Sequence, residues 1–226
     1  MKIGLFSKTE IKPELKEEVE KFGFQYSERK PDILISIGGD GTYLRAERKW
    51  PGIPKLIVRN SSICIKCETD DLEKALKKLK IGSYKIKENI KLETNIKRRK
   101  IKCVNEFCVR NRYATTALRF YVWISGDRTE EIIGDGVIFA TPFGSTAYYK
   151  SVGGKEFKEG IGIGFNNPTV RMKDLVINED SKIKFKVNRG DAVFNADNNP
   201  RIVSLENGEV IQIKKSKEVA RIVDIQ

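Results

Sequence analysis

Two stretches of this chain combine residue types that could cradle phosphate and move a proton. The first is Gly38-Gly39-Asp40-Gly41-Thr42, set between an apolar run, Asp32 to Ile37, and a segment reading as a helix from Thr42 to Trp50. In an open α/β sheet such a strand-to-helix junction lies at the carboxyl edge, where ligands bind. Glycines there reach φ > 0 and let backbone N–H groups approach phosphate oxygens with no Cβ in the way. The helix N-terminus adds a favourable dipole. Gly38, Gly39, Gly41 and Thr42 are therefore a candidate phosphate loop. Asp40 is placed to take a proton from an attacking hydroxyl or to meet Mg²⁺. The plainer alternative is a tight turn in which Asp40 only caps the helix. No Gly-x-x-x-x-Gly-Lys-Ser/Thr loop occurs, and Gly160-Ile161-Gly162-Ile163-Gly164 lacks the dinucleotide-binding spacing.

The second stretch is discontinuous. Asn105-Glu106 interrupts the apolar strand around Cys103 and Cys108, and a buried amide or carboxylate needs partners. Further on, Gly134-Asp135-Gly136 precedes an apolar strand, then Thr141-Pro142-Phe143-Gly144-Ser145-Thr146-Ala147-Tyr148-Tyr149-Lys150-Ser151. That break offers N–H groups and hydroxyls at a helix start, with Tyr148 as an aromatic surface one turn on. It suits a nucleobase and ribose hydroxyls. Taken alone, each piece also reads as a bulge, or as an ordinary helix cap beside a core tyrosine.

The chain has no histidine, which excludes Ser-His-Asp and Cys-His catalysis and a histidine base. Of the four cysteines, Cys64 and Cys67 form a CxxC, while Cys103 and Cys108 bracket the Asn-Glu pair. A zinc site would need all four to converge, and the second spacing is loose for that. Separate packed thiols are expected; a disulfide would require a hyperthermophilic source. The net charge of +12 favours anions in general, but the basic residues are scattered apart from Lys97-Arg98-Arg99-Lys100, a solvated turn or strand start. No apolar run approaches the ~20 residues of a membrane span, and the polar turn at Ser7 comes too early for a signal peptide. A soluble cytoplasmic protein is expected.

Two domains must position these groups. Residues 1–86 alternate strand and helix and predict an α/β domain with an open parallel sheet, carrying the glycine loop. Residues 87–226 read as strands separated by turn signals, a β-rich, sandwich-like domain, with the extreme C-terminus free to return to the first. Strands are expected at 87–96, 100–109, 117–124, 136–140, 182–187, 191–194 and 210–213, and one helix from Ser145 to Gly153-Gly154.

The glycine loop resembles that of NAD kinases, diacylglycerol and sphingosine kinases and phosphofructokinases. All three motifs together, in this order, resemble the NAD kinases along nearly the whole chain. The resemblance implies transfer of the γ-phosphoryl of ATP to the adenosine ribose 2′-hydroxyl of NAD, giving NADP, with Mg²⁺ or another divalent cation. It implies Asp40 as the catalytic acidic residue with Gly41 beside it, Asn105 and Thr146 on the adenine, and Glu106 on a ribose. Asp135, Ala147 and Ser151 would lie near the nicotinamide side, with Tyr148 packing on the ligand. Asp197 would be the aspartate of a late Asp-x-Gln segment, with Asn199 where Gln is common. A homo-oligomer, dimer or tetramer, follows from the resemblance and from the aromatic run Phe120 to Trp123, with neither nucleic acid nor membrane as partner. The residues that would hold a metal are not assigned. Phe143 replaces a small or hydroxylated residue, and Asn60-Ser61-Ser62 replaces Asn-x-Gly. The rivals are a lipid kinase sharing the glycine loop and a non-catalytic NAD(P)-binding regulator, which would have no need of Asp40.

Overall fold

A computed structural model describes residues 1–225. The chain divides into two compact units, Met1–Asn89 with the stretch from Val219 onward, and Ile90–Glu218.

The first unit holds β1 (Lys2–Phe6), α1 (Pro13–Lys21), β2 (Gln25–Tyr26), β3 (Ile33–Gly38), α2 (Asp40–Lys49), β4 (Lys55–Arg59), α3 (Leu72–Lys80) and the start of β5 (Tyr84–Ile96). Its strands run in the order β2-β1-β3-β4 and are all parallel, and Ile222 of the last strand pairs parallel with Lys55. Every residue of β3 is buried, as expected of a central strand covered on both faces. Ile3, Ile35, Leu56, Val19, Leu76 and Val223 belong to its core.

The second unit continues through β6 (Arg99–Cys103), β7 (Glu106–Asn111), β8 (Leu118–Ile124), β9 (Asp127–Arg128), β10 (Ile132–Gly134) and β11 (Gly136–Ala140). A 3₁₀ turn (Phe143–Thr146) and α4 (Tyr148–Ser151) follow, then β12 (Ile161–Asn166), β13 (Leu175–Ile177), β14 (Ile183–Arg189), β15 (Ala192–Ala196), β16 (Val203–Leu205) and β17 (Val210–Ile225), whose far end lies in the first unit. One sheet runs β13-β12-β11-β7-β15-β16; another contains β10-β8-β14-β17 with β5 and β6. Inward-facing Phe107, Phe120, Phe139, Phe185 and Phe194 share one core. The architecture is the expected one: a parallel α/β unit and a β-rich unit.

Three local expectations are corrected. The strand expected over 100–109 breaks into β6 and β7, because the backbone at Val104 and Asn105 turns to another partner. The helix expected from Ser145 is two short pieces kinked at Ala147 (φ −98°, ψ −129°). Cys64 and Cys67 are joined as a disulfide, not separate thiols; only Cys103 and Cys108 are free, both buried. Lys97 and Arg98 of the basic run form the β5–β6 turn, both at positive φ, and Arg99 and Lys100 open β6. Among the described residues, no helix is long and apolar enough to cross a membrane.

Candidate active site

In the first unit, α2 starts at Asp40 itself, and its N-cap is Gly39, with no side-chain cap bond. Asp40 is therefore not a helix cap. Its carboxylate turns to the segment after β4: Oδ2 accepts the Ile65 N–H (3.1 Å) and Oδ1 the Lys66 N–H (3.0 Å), with Cys64 Sγ 3.2 Å from Oδ1. That segment is tied to the glycine loop at its foot, where Asn60 N–H donates to the Gly38 carbonyl (3.0 Å). The Arg59 guanidinium holds the Cys64 carbonyl at 3.3 Å. A Cβ on Gly39 would come within 2.9 Å of the Ile63 carbonyl, so this crossing of two backbones requires glycine there.

In the second unit, Asn105 and Glu106 sit at the break between β6 and β7. The cause of the break is Asp197, at the end of β15 with φ 48°. Its carboxylate accepts N–H groups from Val104 (2.9 and 3.1 Å), Asn105 (2.7 Å) and Glu106 (3.2 Å). From the other side, the Thr141 N–H donates to the Asn105 carbonyl (2.9 Å) and the Thr141 hydroxyl to the Val104 carbonyl (2.5 Å), while Gly144 N–H donates to that hydroxyl (3.1 Å). A Cβ on Gly144 would stand 2.1 Å from the Asn105 carbonyl oxygen. The Thr141–Thr146 turn and the Asn-Glu turn are thus one locked assembly.

The lock leaves two groups unanswered. Asn105 Oδ1 and Glu106 Oε2 are buried and have no hydrogen-bond partner. Burial first, and the Asp197 charge second, push the Glu106 carboxyl up to about 8, against a backbone hydrogen bond at Tyr148 that pulls it down. A folded protein tolerates such groups where a ligand completes them. Tyr148, half-buried, takes a hydrogen bond on its hydroxyl from Asn166 (3.3 Å). Asp135 accepts from Asn167 (3.1 Å) and Asn111 (3.4 Å). Burial leads in raising the Tyr148 phenol, with Cys108, Asp135 and Glu106 adding to it and Arg110 opposing, so these groups form one electrostatic neighbourhood.

Of the residues expected from sequence, the second unit brings together Asn105, Glu106, Asp135, Tyr148 and Asp197. Thr146 and Ala147, both half-buried, line the kink beside them, and Ser151, more exposed, returns its hydroxyl to the Ala147 carbonyl (3.5 Å). Asn199 instead closes its own turn, accepting the Arg201 N–H at 3.1 Å. Sequence reasoning missed Asn166 and Asn167, gave Thr141 no role of its own within its segment, and read the Cys64–Cys67 pair as separate thiols. Thr141 before Pro142 and the Asn166-Asn167-Pro168 turn were the available signals.

A family model described as the ATP-NAD kinase C-terminal domain matches residues 104–225, the segment that carries this second assembly. The chain belongs to the NAD kinase family. An NAD kinase of Thermoplasma volcanium is 32% identical over 90% of this chain and 78% of its own. One of Clostridium perfringens is 31% identical over 85% and 74%. Among solved structures, an NAD kinase from Archaeoglobus fulgidus in complex with ATP superposes with TM-score 0.85 at 22% identity, covering 100% of this chain and 94% of that one. Yeast NADH kinase complexed with NADH gives 0.86 at 16%, covering 100% and 84%. At these identities the superpositions establish the fold.

The site geometry predicts a sizeable effect at Asp197. Asn adopts the same left-handed backbone, so Asp197→Asn keeps the turn but exchanges three charge-assisted N–H bonds for weaker ones. We expect a loss of about 2–3 kcal/mol in denaturant unfolding. No loss would mean that Asp197 does not hold the Asn-Glu turn.

Proposed function

We propose that this family member phosphorylates the adenosine ribose 2′-hydroxyl of NAD from ATP, yielding NADP. The observation that carries this reading is the buried, unsatisfied pair Asn105 Oδ1 and Glu106 Oε2, beside Tyr148, in a segment matched by the family model. An amide oxygen accepts from an adenine amino group; a carboxylate accepts from ribose hydroxyls. Thr146, Ala147 and Ser151 frame the ligand, Asp135 lies toward its nicotinamide end, and Tyr148 offers a ring to pack on it. Asp197 acts as a positioning residue beneath the turn, and Asn199 shapes the loop that carries it.

Gly38, Gly39, Gly41 and Thr42 form the loop and helix start that would face phosphate, the Thr42 N–H itself donating to the Gly39 carbonyl (2.8 Å). Asp40 accepts the proton of the attacking hydroxyl. Phosphoryl transfer demands little covalent help from protein, so positioning and charge neutralisation do most of the work.

Among the described residues, no group of three or more Cys, Asp or Glu side chains could hold a metal ion. Mg²⁺ commonly binds through one or two carboxylates plus substrate phosphates, and Asp40 is the group that would meet it. When bound, Mg²⁺ neutralises charge developing on the transferred phosphoryl. We propose a cytoplasmic location for this reaction.

The outward faces of Tyr121 and Trp123, rings 5.9 Å apart with Arg128 and Lys184 over them, are the surface we assign to contact between copies. Phe120 and Val122 of the same strand point into the core and need no further cover. Light scattering at micromolar concentration should give a dimer or tetramer mass; a fully active monomer rejects the assignment.

The functional reading is tested with ATP, Mg²⁺ and a choice of NAD, NADH and diacylglycerol. NADP should form from NAD. Phosphorylated lipid without NADP would establish the lipid-kinase alternative instead.

A further inference from the structure

We infer that the Cys64–Cys67 disulfide is a redox-dependent clamp on the catalytic carboxylate, an inference that rests on the kinase reading of Asp40. The two N–H groups held by Asp40, those of Ile65 and Lys66, belong to the two residues enclosed between the bonded cysteines. Cross-linking 64 to 67 therefore fixes the direction of both donors, and through them the orientation of the carboxylate. In the disulfide Cys64 carries no S–H, so its 3.2 Å approach to Asp40 Oδ1 is a contact and not a hydrogen bond. The clamp is local in space: Gly39 passes under Ile63, and Asn60 is tied to Gly38.

Its chemistry is two-electron thiol–disulfide exchange with a dithiol reductant. A reductant thiolate attacks Cys67 Sγ, the less buried of the pair, forming a mixed disulfide and expelling Cys64 as thiolate, which takes up a proton. The second thiol of the reductant then displaces Cys67, which is protonated in turn, and the reductant leaves as its internal disulfide. The reduced loop gains a Cys64 S–H able to compete for Asp40 Oδ1 and loses the ring that fixed Ile65 and Lys66. Of the remaining thiols, Cys103 and Cys108 are buried and free, and burial pushes Cys108 up to about 12, so exchange is confined to this one bond. Disulfides in reducing compartments are usually transient, catalytic or sensing.

The test is steady-state kinetics on the oxidised protein, on the same protein after dithiothreitol, and after reoxidation, with thiols titrated at each stage. Reduction should lower kcat about tenfold, short of the ~10²-fold of a 1 Å misplacement, leave KM for NAD within about twofold, and reverse on reoxidation. Cys64→Ser/Cys67→Ser should show the low kcat and ignore dithiothreitol. A change in thermal unfolding with kcat equal in both states would make the bond a structural staple and overturn the inference, as would a rise in kcat on reduction. Failure to form NADP in either state sinks the kinase reading and this inference with it; equal NADP formation in both sinks this inference alone.

Discussion

Asp40→Asn is expected to lower kcat for NADP formation by ~10²–10⁴, the usual cost of losing a positioned general base, while NAD affinity changes little. Asn is nearly isosteric with Asp. It keeps one acceptor for the N–H groups of Ile65 and Lys66 and turns an amide toward the other. The local loss is about 1–3 kcal/mol, and the Cys64–Cys67 bond still constrains the loop, so the fold should persist. With no histidine in the chain, the glycine loop holds no substitute base. Steady-state kinetics and NAD calorimetry on the variant decide the matter. Retention of more than about a tenth of wild-type kcat, well inside the expected loss, would reduce Asp40 to an anchor for the 64–66 backbone.

The second large effect is on stability, and its sign is opposite to that of most active-site changes. Glu106 titrates near 8 in the folded chain, raised from an ordinary value of 4.5 by burial first and the Asp197 charge second. Between those limits the folded state holds a proton that the unfolded chain releases. The stability contributed by the protonated carboxyl is therefore fully present below pH 4.5 and lost as pH rises through about 8. Glu106→Gln is neutral at every pH and has no such slope. It should be more stable than the parent at pH 8 to 9 by roughly 3–5 kcal/mol, with the difference vanishing near pH 4. At pH 9, where the parent carboxyl is ionised, NAD affinity should fall about tenfold or more, because a ribose hydroxyl loses a charged acceptor. Denaturant unfolding across this pH range checks it. Parallel pH slopes for the two proteins would mean that Glu106 is not desolvated as described.

The parts of this molecule that sequence reveals are those set by local pattern. The continuous apolar run before Gly38 can only be a strand covered on both faces, and the glycines after it mark the turn that exposes Asp40. Residue alternation in β8 and β14 likewise announces a sheet with one face on a core. The parts that stayed hidden depend on partners far along the chain. Asp197 reaches back 91 residues to Glu106 N–H, and nothing in Phe194 to Asn199 shows that its carboxylate gathers the backbone of 104–106 and breaks the expected strand. Lys55 lies in a largely apolar strand, yet it is fully buried and ion-paired with Glu47 of α2, a partner that local pattern cannot reveal. The cysteine pair was legible as CxxC. Its meaning was not, because only the fold places Ile65 and Lys66 on Asp40.

The most direct measurement follows γ-labelled ATP with NAD and Mg²⁺ and locates the label in the isolated product by phosphorus and proton magnetic resonance. Label is expected on the 2′-oxygen of the adenosine ribose, with ADP formed in equal amount. Label on the nicotinamide ribose, or release of phosphate with NAD unchanged, would contradict it.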